Sequence, residues 1–277
     1  AHLGGAGNIA LGTNALVVNT TGRNNVAVGM NALDANTTGN YNTAIGGQAL
    51  TESTTASENV AIGYQCMDSL TTGHNNVAVG MKAMDDATSA VGNIAIGRYT
   101  LGDLTDGVGC VAIGAYDGSA QPALRVNTGS YNSAIGSGAL SANTTGTRNN
   151  AFGYLALNDN TTGNDNTAIG NVALTLCTTG SYNTAVGKGA LSATTTGGEN
   201  TAVGYHALDA NTTAGHNVAV GAYALDAQTN GGSNVAVGNY ALTTLNDSNA
   251  TANTAVGHKA GNSSTTGNHN VMLGHKA

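Results

Sequence analysis

The chain has little of what most globular proteins use to fold, bind or catalyse. It has one proline, one phenylalanine and no tryptophan, and only 8% of its 277 residues are charged. So low a charge content excludes a disordered polyelectrolyte. Eight Lys and Arg against 15 Asp and Glu give a net charge of −7, which leaves no basic stripe for nucleic acid. Gly, Asn and Thr interrupt every apolar run well before the ~18 residues of a membrane span. We therefore expect neither nucleic acid as a partner nor a membrane span.

What the chain does contain is one 17-residue pattern, N-[V/T]-A-[V/I]-G-x-x-A-L-x-x-N-T-T-G-x-x, repeated from end to end. Its glycine recurs 16 times, and 13 of the 15 intervals are 17 residues long. The glycines stand at positions 12, 29, 46, 63, 80, 97, 114, 136, 153, 170, 187, 204, 221, 238, 257 and 274. A short fixed period over a whole chain predicts a solenoid in which each repeat packs on its neighbours.

The five residues that end in this glycine predict a short β-strand. Strand side chains alternate, so Thr201 and Val203 point one way and Ala202 points the other. The fourth residue is large and apolar in every copy, and we expect it to fill the interior of the coil. The third is Ala in 15 of 16 copies, and a strand that is apolar on both faces is buried on both. We therefore expect the alanines to face another subunit, and Trp in place of Ala202 or Ala219 to break assembly.

The remaining positions predict how the coil closes. The glycine is expected to turn the corner after the strand. The Asn before the strand, present in 15 of 16 copies, predicts a ladder of side-chain hydrogen bonds from coil to coil. The Ala-Leu pair predicts a second short strand, and Asn-Thr-Thr-Gly predicts a turn. The predicted fold is all-β, a parallel β-solenoid with one coil per 17-residue repeat and a length of roughly 70 Å.

We predict a single repeat domain of 16 coils over residues 1–277, with two irregularities. The first is a side-loop insertion at 117–122, after which the pattern resumes at Asn132. The second is an extended turn at 243–252. The pattern reaches both ends without a distinct cap, so we expect flanking segments in a longer protein.

The three cysteines, Cys66, Cys110 and Cys177, are an odd number and lack the spacing of metal ligands. Each replaces the usual Ala or Asn of its copy. We interpret them as small buried apolar side chains.

The Asn-Val-Ala-Val-Gly and Asn-Thr-Ala-Ile-Gly cores, with Ala-Leu and Asn-Thr-Thr-Gly, resemble the left-handed β-roll head repeats of trimeric autotransporter adhesins. They resemble still more the 17-residue repeats of phage tail-fibre and related fibre proteins. The resemblance covers nearly the whole chain. It implies a left-handed β-roll, a homotrimeric rod with the alanine-bearing strands near its axis, and display on a virion tail or a cell surface. The neck, stalk and anchor of those adhesins, and the self-cleaving chaperone domain of many fibres, have no counterpart in the sequence.

No residues form a catalytic constellation, so we expect no enzymatic activity, no catalytic residue, no cofactor and no metal. Five aspartates directly follow the Leu or Met of their copies and should form a column, which we interpret as a solvated edge rather than a cation site or a glycosidase carboxylate pair. They are Asp34, Asp68, Asp85, Asp209 and Asp226. His258 and His275 share one repeat position, but each stands beside a Lys that repels cations. We expect these histidines to be displayed at the surface.

Six tyrosines stand one or two places after the glycine, where they are suited either to stack on sugars or to cover a neighbouring coil. They are Tyr64, Tyr154, Tyr205, Tyr99, Tyr223 and Tyr240. The Asn-Thr-Thr turns also match the glycosylation acceptor pattern, although their turn role explains them without a glycan. The asparagines concerned are Asn19, Asn36, Asn143, Asn160 and Asn211.

The insertion at 117–122, with Tyr116 before it and Arg125 after it, is the largest break in the pattern. Loops that a rigid scaffold displays are common binding sites; a tolerated surface insertion is the alternative.

The leading functional hypothesis is a structural fibre or attachment module of a phage tail fibre or spike. It would be an extracellular homotrimer that displays surface to a host glycan or receptor. One alternative is the head of a bacterial cell-surface adhesin or an extracellular filament. Another is a solenoid polysaccharide depolymerase, which needs a groove with clustered acids and bases.

Overall fold

The computed structural model describes residues 5–114, 116, 118 and 121–277 of the chain. The backbone divides into two compact units, Ala1–Thr144 and Thr145–Ala277. Each unit consists of three-residue β-strands joined by turns, and the described residues contain no helix. Among them, accordingly, there is no helix with the length and apolar character to cross a membrane. That the chain is one repeat domain stays a prediction.

The described residues of each unit contain eight strands. In the first unit they are Ile9–Leu11 (β1), Val26–Val28 (β2), Thr43–Ile45 (β3), Val60–Ile62 (β4), Val77–Val79 (β5), Ile94–Ile96 (β6), Val111–Ile113 (β7) and Ser133–Ile135 (β8). In the second unit they are Asn150–Phe152 (β9), Thr167–Ile169 (β10), Thr184–Val186 (β11), Thr201–Val203 (β12), Val218–Val220 (β13), Val235–Val237 (β14), Thr254–Val256 (β15) and Val271–Leu273 (β16).

Within each unit every strand pairs in parallel with the next strand along the chain, and each residue lies opposite its equivalent in the next repeat. The register continues through both irregularities. Ala112 lies opposite Ala134 across the insertion, and Ala236 lies opposite Ala255 across the lengthened turn. The predicted parallel β-solenoid with one coil per repeat is confirmed.

The strands face the interior with their alanines, which reverses the predicted orientation. Ala202 and Ala219 are completely buried, whereas Val203 is 36% exposed. The same alternation recurs along β2–β15. A completely buried leucine or methionine of each repeat from Leu33 to Leu242, such as Leu208, fills the coil, so the strand side has room only for a methyl group. Trp at Ala202 or Ala219 would therefore disrupt the core of a coil and not a subunit contact.

An exchange of volume in the coil between Gly257 and Gly274 shows that the strand alanine and the leucine share one core. Here Gly261 stands in place of the leucine, and Met272 stands in place of the strand alanine. A Cβ built on Gly261 would lie 2.7 Å from Met272 Sδ and 2.8 Å from Leu242 Cδ2. The larger strand side chain thus occupies the space of the missing leucine, and the packed volume is conserved.

The Ala-Leu segment forms a turn instead of the predicted second strand. Each residue at the Leu position, from Leu16 to Leu242, has φ between 48° and 55°. Backbone hydrogen bonds still join neighbouring coils at this position, since Leu33 N donates to Ala49 O at 3.1 Å. The left-handed conformation costs a bulky residue about 1–2 kcal/mol, which burial of a whole leucine side chain, about 1.5–3 kcal/mol, offsets.

The asparagines before the strands form the predicted ladder. Asn59 Oδ1 accepts from both the backbone N and the side-chain Nδ2 of Asn76, each at 3.0 Å. Asn59 Nδ2 donates to Gly73 O at 3.0 Å. Both asparagines are completely buried. Buried backbone groups need partners, and the ladder provides them where the three-residue strands end.

The cysteines are free and buried, as predicted. Burial raises the pKa of the Cys66 thiol to about 12 and that of Cys177 to about 11, and it also raises the pKa of Cys110. Thiols so far from ionisation at neutral pH are inert packing groups.

Candidate functional site

The insertion leaves the coil after Gly114 and rejoins it at Gln121. Ala123 N donates to Gly114 O at 3.2 Å, and Gly138 N donates to Gln121 O at 2.7 Å. Regular coils form both bonds at these repeat positions, so Gln121 and Pro122 belong to the coil. The predicted insertion at 117–122 therefore includes two residues, Gln121 and Pro122, that occupy regular coil positions.

Only part of this loop belongs to the described residues. Of the stretch between the coil positions, the structure describes Tyr116 and Gly118. Residues 117, 119 and 120 of the predicted insertion lie outside the described residues. Tyr116 Oη donates to Gly118 O at 3.5 Å, and the Tyr116 side chain is exposed.

A cavity of about 190 Å³ lies beside the loop, in the first unit. It is lined by Tyr99, Tyr116, Gln121, Pro122 and Arg125. Tyr99 and Pro122 occupy the same repeat position in consecutive coils, so the wall extends over both. Two aromatic rings, a proline ring, an amide and a guanidinium surround the space. A concave surface with apolar rings and a few polar groups is typical of small-ligand sites.

Arg125, one of the chain's eight basic residues, lines this cavity, although the chain as a whole is acidic. A second basic residue, Arg98, contacts the lining residue Tyr99. The Arg98 guanidinium lies over the ring of Tyr99, 4.8 Å from its centroid. Arg125 Nη1 donates to Gln121 Oε1 at 3.0 Å, and Arg125 Nε lies 3.8 Å from Asp103 Oδ2. These contacts hold the aromatic groups and the Arg125 guanidinium in place, so the cavity wall carries a positive charge beside the carboxylate of Asp103.

The sequence indicated part of this site. Tyr99 was a candidate as one of the tyrosines after the glycine, and Tyr116 and Arg125 were candidates as neighbours of the insertion. Gln121 and Pro122 were candidates as part of the predicted insertion at 117–122, and Arg98 was missed. The signal for Arg98 was its scarcity, because basic residues are rare in this chain and Arg98 stands one coil before the insertion.

The aspartates of the column in the first unit, Asp34, Asp68 and Asp85, are partly buried, so the predicted solvated edge is only partly exposed there. Burial and the neighbouring charge of Asp85 raise the pKa of Asp68 to about 6. Burial also raises the pKa of Asp85 and of Asp34. Lys82 Nζ lies 3.5 Å from Asp85 Oδ2 and opposes the shift at Asp85. In the second unit burial likewise raises the pKa of Asp226.

We expect the free energy of unfolding to decrease between pH 4 and pH 6 more steeply in the wild type than in Asp68→Asn. The folded chain keeps the Asp68 proton up to a pH of about 6, whereas an ordinary aspartate releases it near 3.8. Between these two pKa values the folded state binds more protons than the unfolded state does. The stabilisation that comes from the protonated Asp68 carboxyl is therefore fully present below pH 3.8 and lost as the pH rises through about 6. Asp68 is partly exposed, so we expect a difference of at most about 1 kcal/mol.

Urea titrations at several pH values measure this difference. Asp106→Asn, which replaces an exposed aspartate of the same unit, is the matched control and should follow the wild type. Identical pH profiles for Asp68→Asn and the wild type would contradict the expectation.

The histidine pair His258 and His275 of the second unit lies at the surface, as predicted. The rings of His258 and His275 stack with centroids 5.1 Å apart, and their Nδ1 atoms are 3.3 Å apart. Desolvation and the charges of His275, Lys259 and Lys276 lower the pKa of His258. Within the described part of the chain, no three His, Cys, Asp or Glu side chains are grouped to hold a metal ion.

Three tyrosines of the second unit, Tyr205, Tyr223 and Tyr240, contact one another across neighbouring coils. The rings of Tyr223 and Tyr240 stack with centroids 5.1 Å apart and an angle of 9° between planes. His206 stacks parallel to Tyr223 at 6.0 Å, and Lys259 Nζ lies 5.7 Å from the Tyr240 centroid. Ring faces that would meet a sugar are thus in contact with one another. These stacked tyrosines therefore cover neighbouring coils, which is one of the two predicted roles, and do not present free ring faces to sugars.

The Asn-Thr-Thr turns are unsuitable glycan acceptors in the folded coil, because all five asparagines are buried. Asn36 Nδ2 donates to Asn19 Oδ1 at 3.0 Å and to Gly39 O at 3.3 Å. The first threonine joins coils as well, since Thr37 Oγ1 donates to Thr54 O at 3.1 Å. The hydrogen bonds that these residues form in the turn therefore explain their recurrence without a glycan.

The fold defines the class of this protein as a parallel β-solenoid repeat protein. No family model matches the chain, and no curated protein and no solved structure is significantly similar to it.

Proposed function

We propose that this chain is a non-catalytic structural attachment module, a homotrimer of β-solenoids in an extracellular fibre such as a phage tail fibre or spike. The observation that carries the proposal is the outward apolar face of the strands. The last strand residue, directly before the invariant glycine, is apolar in all 16 copies, and it points out of the coil in both units.

This face has the character of a contact surface. Ile45 and Ile135 of the first unit are 39% and 41% exposed, and Ile169 of the second unit is 39% exposed. Soluble monomers rarely expose apolar patches beyond a few hundred Å². A face that repeats at every coil is matched by a surface with the same spacing, which a second copy in parallel register supplies. This face replaces the alanines as the proposed interface.

The number of copies comes from the resemblance to the head repeats of trimeric autotransporter adhesins. Three parallel sheets around a threefold axis form a closed assembly in which every apolar face is covered. Three cavities per assembly would add avidity for a host glycan or receptor. A bacterial adhesin head or an extracellular filament has the same architecture and is the alternative setting.

We expect the double variant Ile169→Asp/Val203→Asp to be a folded monomer under conditions in which the wild type is a trimer. Both side chains point outward, so the coil interior is unchanged. Assembly would bury unpaired carboxylates at the axis, which costs several kcal/mol for each one. Light scattering gives the mass, and circular dichroism checks the fold.

The matched control is Thr162→Asp/Thr196→Asp. These residues have the same spacing of two coils but lie in exposed turns, and the control should remain trimeric. A wild type that stays monomeric at all concentrations, or a strand-face variant that still assembles, would overturn the proposed interface.

The proposed location of the chain, in a phage fibre or on a bacterial surface, is tested separately. Gold-labelled antibodies against the purified chain should mark fibres on phage particles that carry the gene. Labelling of bacterial cell surfaces would establish the adhesin alternative, and labelling confined to the cytoplasm would overturn both.

A further inference from the structure

We propose that the cavity lined by Tyr99, Tyr116, Gln121, Pro122 and Arg125 binds the carboxylate-bearing sugar residue of an acidic surface glycan. The inference rests on the proposed attachment function and gives it a ligand class. The cavity is the one place in the described coils where an insertion, aromatic rings and a guanidinium occur together.

The carboxylate is inferred from Arg125. A guanidinium presents a planar set of donors that matches a carboxylate in a bidentate arrangement. Gln121 Oε1 accepts from Nη1 at 3.0 Å, and Asp103 lies on the side of Nε. Both neighbours orient the guanidinium while it forms part of the cavity wall. Arg98 on the preceding coil adds a second positive charge over the Tyr99 ring, 4.8 Å from its centroid.

The sugar ring is inferred from the rest of the lining. The faces of pyranose rings are apolar and pack on aromatic rings, and their hydroxyls pair with amides. Tyr99, Tyr116 and Pro122 provide rings, and Gln121 provides an amide. Arg98 covers one face of Tyr99 and holds that ring before a ligand arrives, which reduces the ordering cost of binding.

The size of the cavity limits the ligand to one small group. At about 190 Å³ it is smaller than the roughly 300–1,000 Å³ of sites for drug-sized ligands. One acidic sugar residue is therefore recognised, and the rest of the glycan remains outside. The chain's net charge of −7 repels polyanions elsewhere, so recognition is confined to the two arginines.

The test is titration of the purified chain with glucuronate and with N-acetylneuraminate, two acidic sugars of different origin, observed by nuclear magnetic resonance. We expect at least one to bind saturably in the millimolar range and to shift the resonances of the Arg125 side chain and the Tyr99 ring. Glucose should bind at least tenfold more weakly. Which acidic sugar binds more tightly identifies the kind of glycan.

The variants are Arg125→Gln and, as a control, Arg23→Gln, which removes an exposed charge from the same unit. Arg125→Gln should lose tenfold or more in affinity, and Arg23→Gln should bind as the wild type does. The wild-type shifts decide the case if Arg125→Gln fails to fold.

Several results overturn the proposal: no saturable binding of either acidic sugar, equal binding of glucose, or shifts confined to residues away from the cavity. Inorganic sulfate that binds as tightly as the acidic sugars would show an anion site without sugar recognition, which also overturns it. All these measurements use the purified protein in solution and do not depend on its oligomeric state or its origin. A negative result would therefore be distinct from a failure of the proposed trimer or of the proposed location in a fibre.

Discussion

Gly46→Ala is expected to destabilise the first unit by about 3 kcal/mol or more. Gly46 has φ of 137°, a conformation that residues with a side chain rarely adopt. A Cβ at this position would overlap the backbone carbonyl of Gly63 in the next coil. The coil would have to open at this corner to relieve the overlap, because the contact is with backbone. Urea unfolding followed by circular dichroism measures the loss.

The adjacent Gly47 is a matched control. It does not have positive φ, and a Cβ there would lie 3.5 Å from Tyr64 Cδ2, an ordinary contact. Gly47→Ala should therefore change stability by less than about 1 kcal/mol, in either direction. Equal destabilisation by the two substitutions would show that the positive φ and the close backbone contact at the corner do not explain the invariant glycine.

Deletion of Lys188–Gly204, one exact repeat, is expected to leave a folded solenoid that is shorter by one coil. Asn200 N donates to Asn183 Oδ1 at 3.1 Å, and Asn217 N donates to Asn200 Oδ1 at 3.0 Å. After the deletion Asn217 lies 17 residues beyond Asn183 and takes the place of Asn200. Because the coil interfaces are equivalent, the melting temperature should change by only a few degrees.

Deletion of eight residues, Lys188–Thr195, removes less of the chain but should abolish the cooperative melting transition of the second unit. Asn200 would then follow Asn183 after nine residues, too few to complete a coil. The ladder, the strand pairing and the buried leucine Leu191 would all be lost at once. Equal damage from both deletions would contradict the interchangeability of the coils.

The sequence by itself determined the period, the parallel pairing, the glycine corner and the asparagine ladder. Each of these features depends on one residue that recurs at one spacing. For an asparagine that recurs before 15 of 16 strands, a ladder is the simplest arrangement of hydrogen-bond partners, and Asn59 and Asn76 form part of it. A glycine in all 16 copies indicates a backbone that accepts no side chain, and Gly46 has that backbone.

Only the tertiary structure decided which strand face is inside. The alternation of Thr201, Ala202 and Val203 is the same whichever face points inward, and both faces are apolar enough to be buried. The deciding element is Leu208, which a left-handed turn directs into the coil and which the sequence suggested as part of a second strand. Once leucine fills the interior, the volume left admits Ala202 and excludes Val203, so the β-branched row faces outward.

The cavity depended on tertiary structure for a related reason. Tyr99 and Pro122 become neighbours because the insertion rejoins the coil at Gln121, a position set by backbone hydrogen bonds. Residues 23 apart in the sequence thus lie one coil apart in the fold. A repeat pattern shows where the chain departs from its period. The side chains that meet at that departure are chosen by the way the backbone returns to register, which depends on contacts between coils.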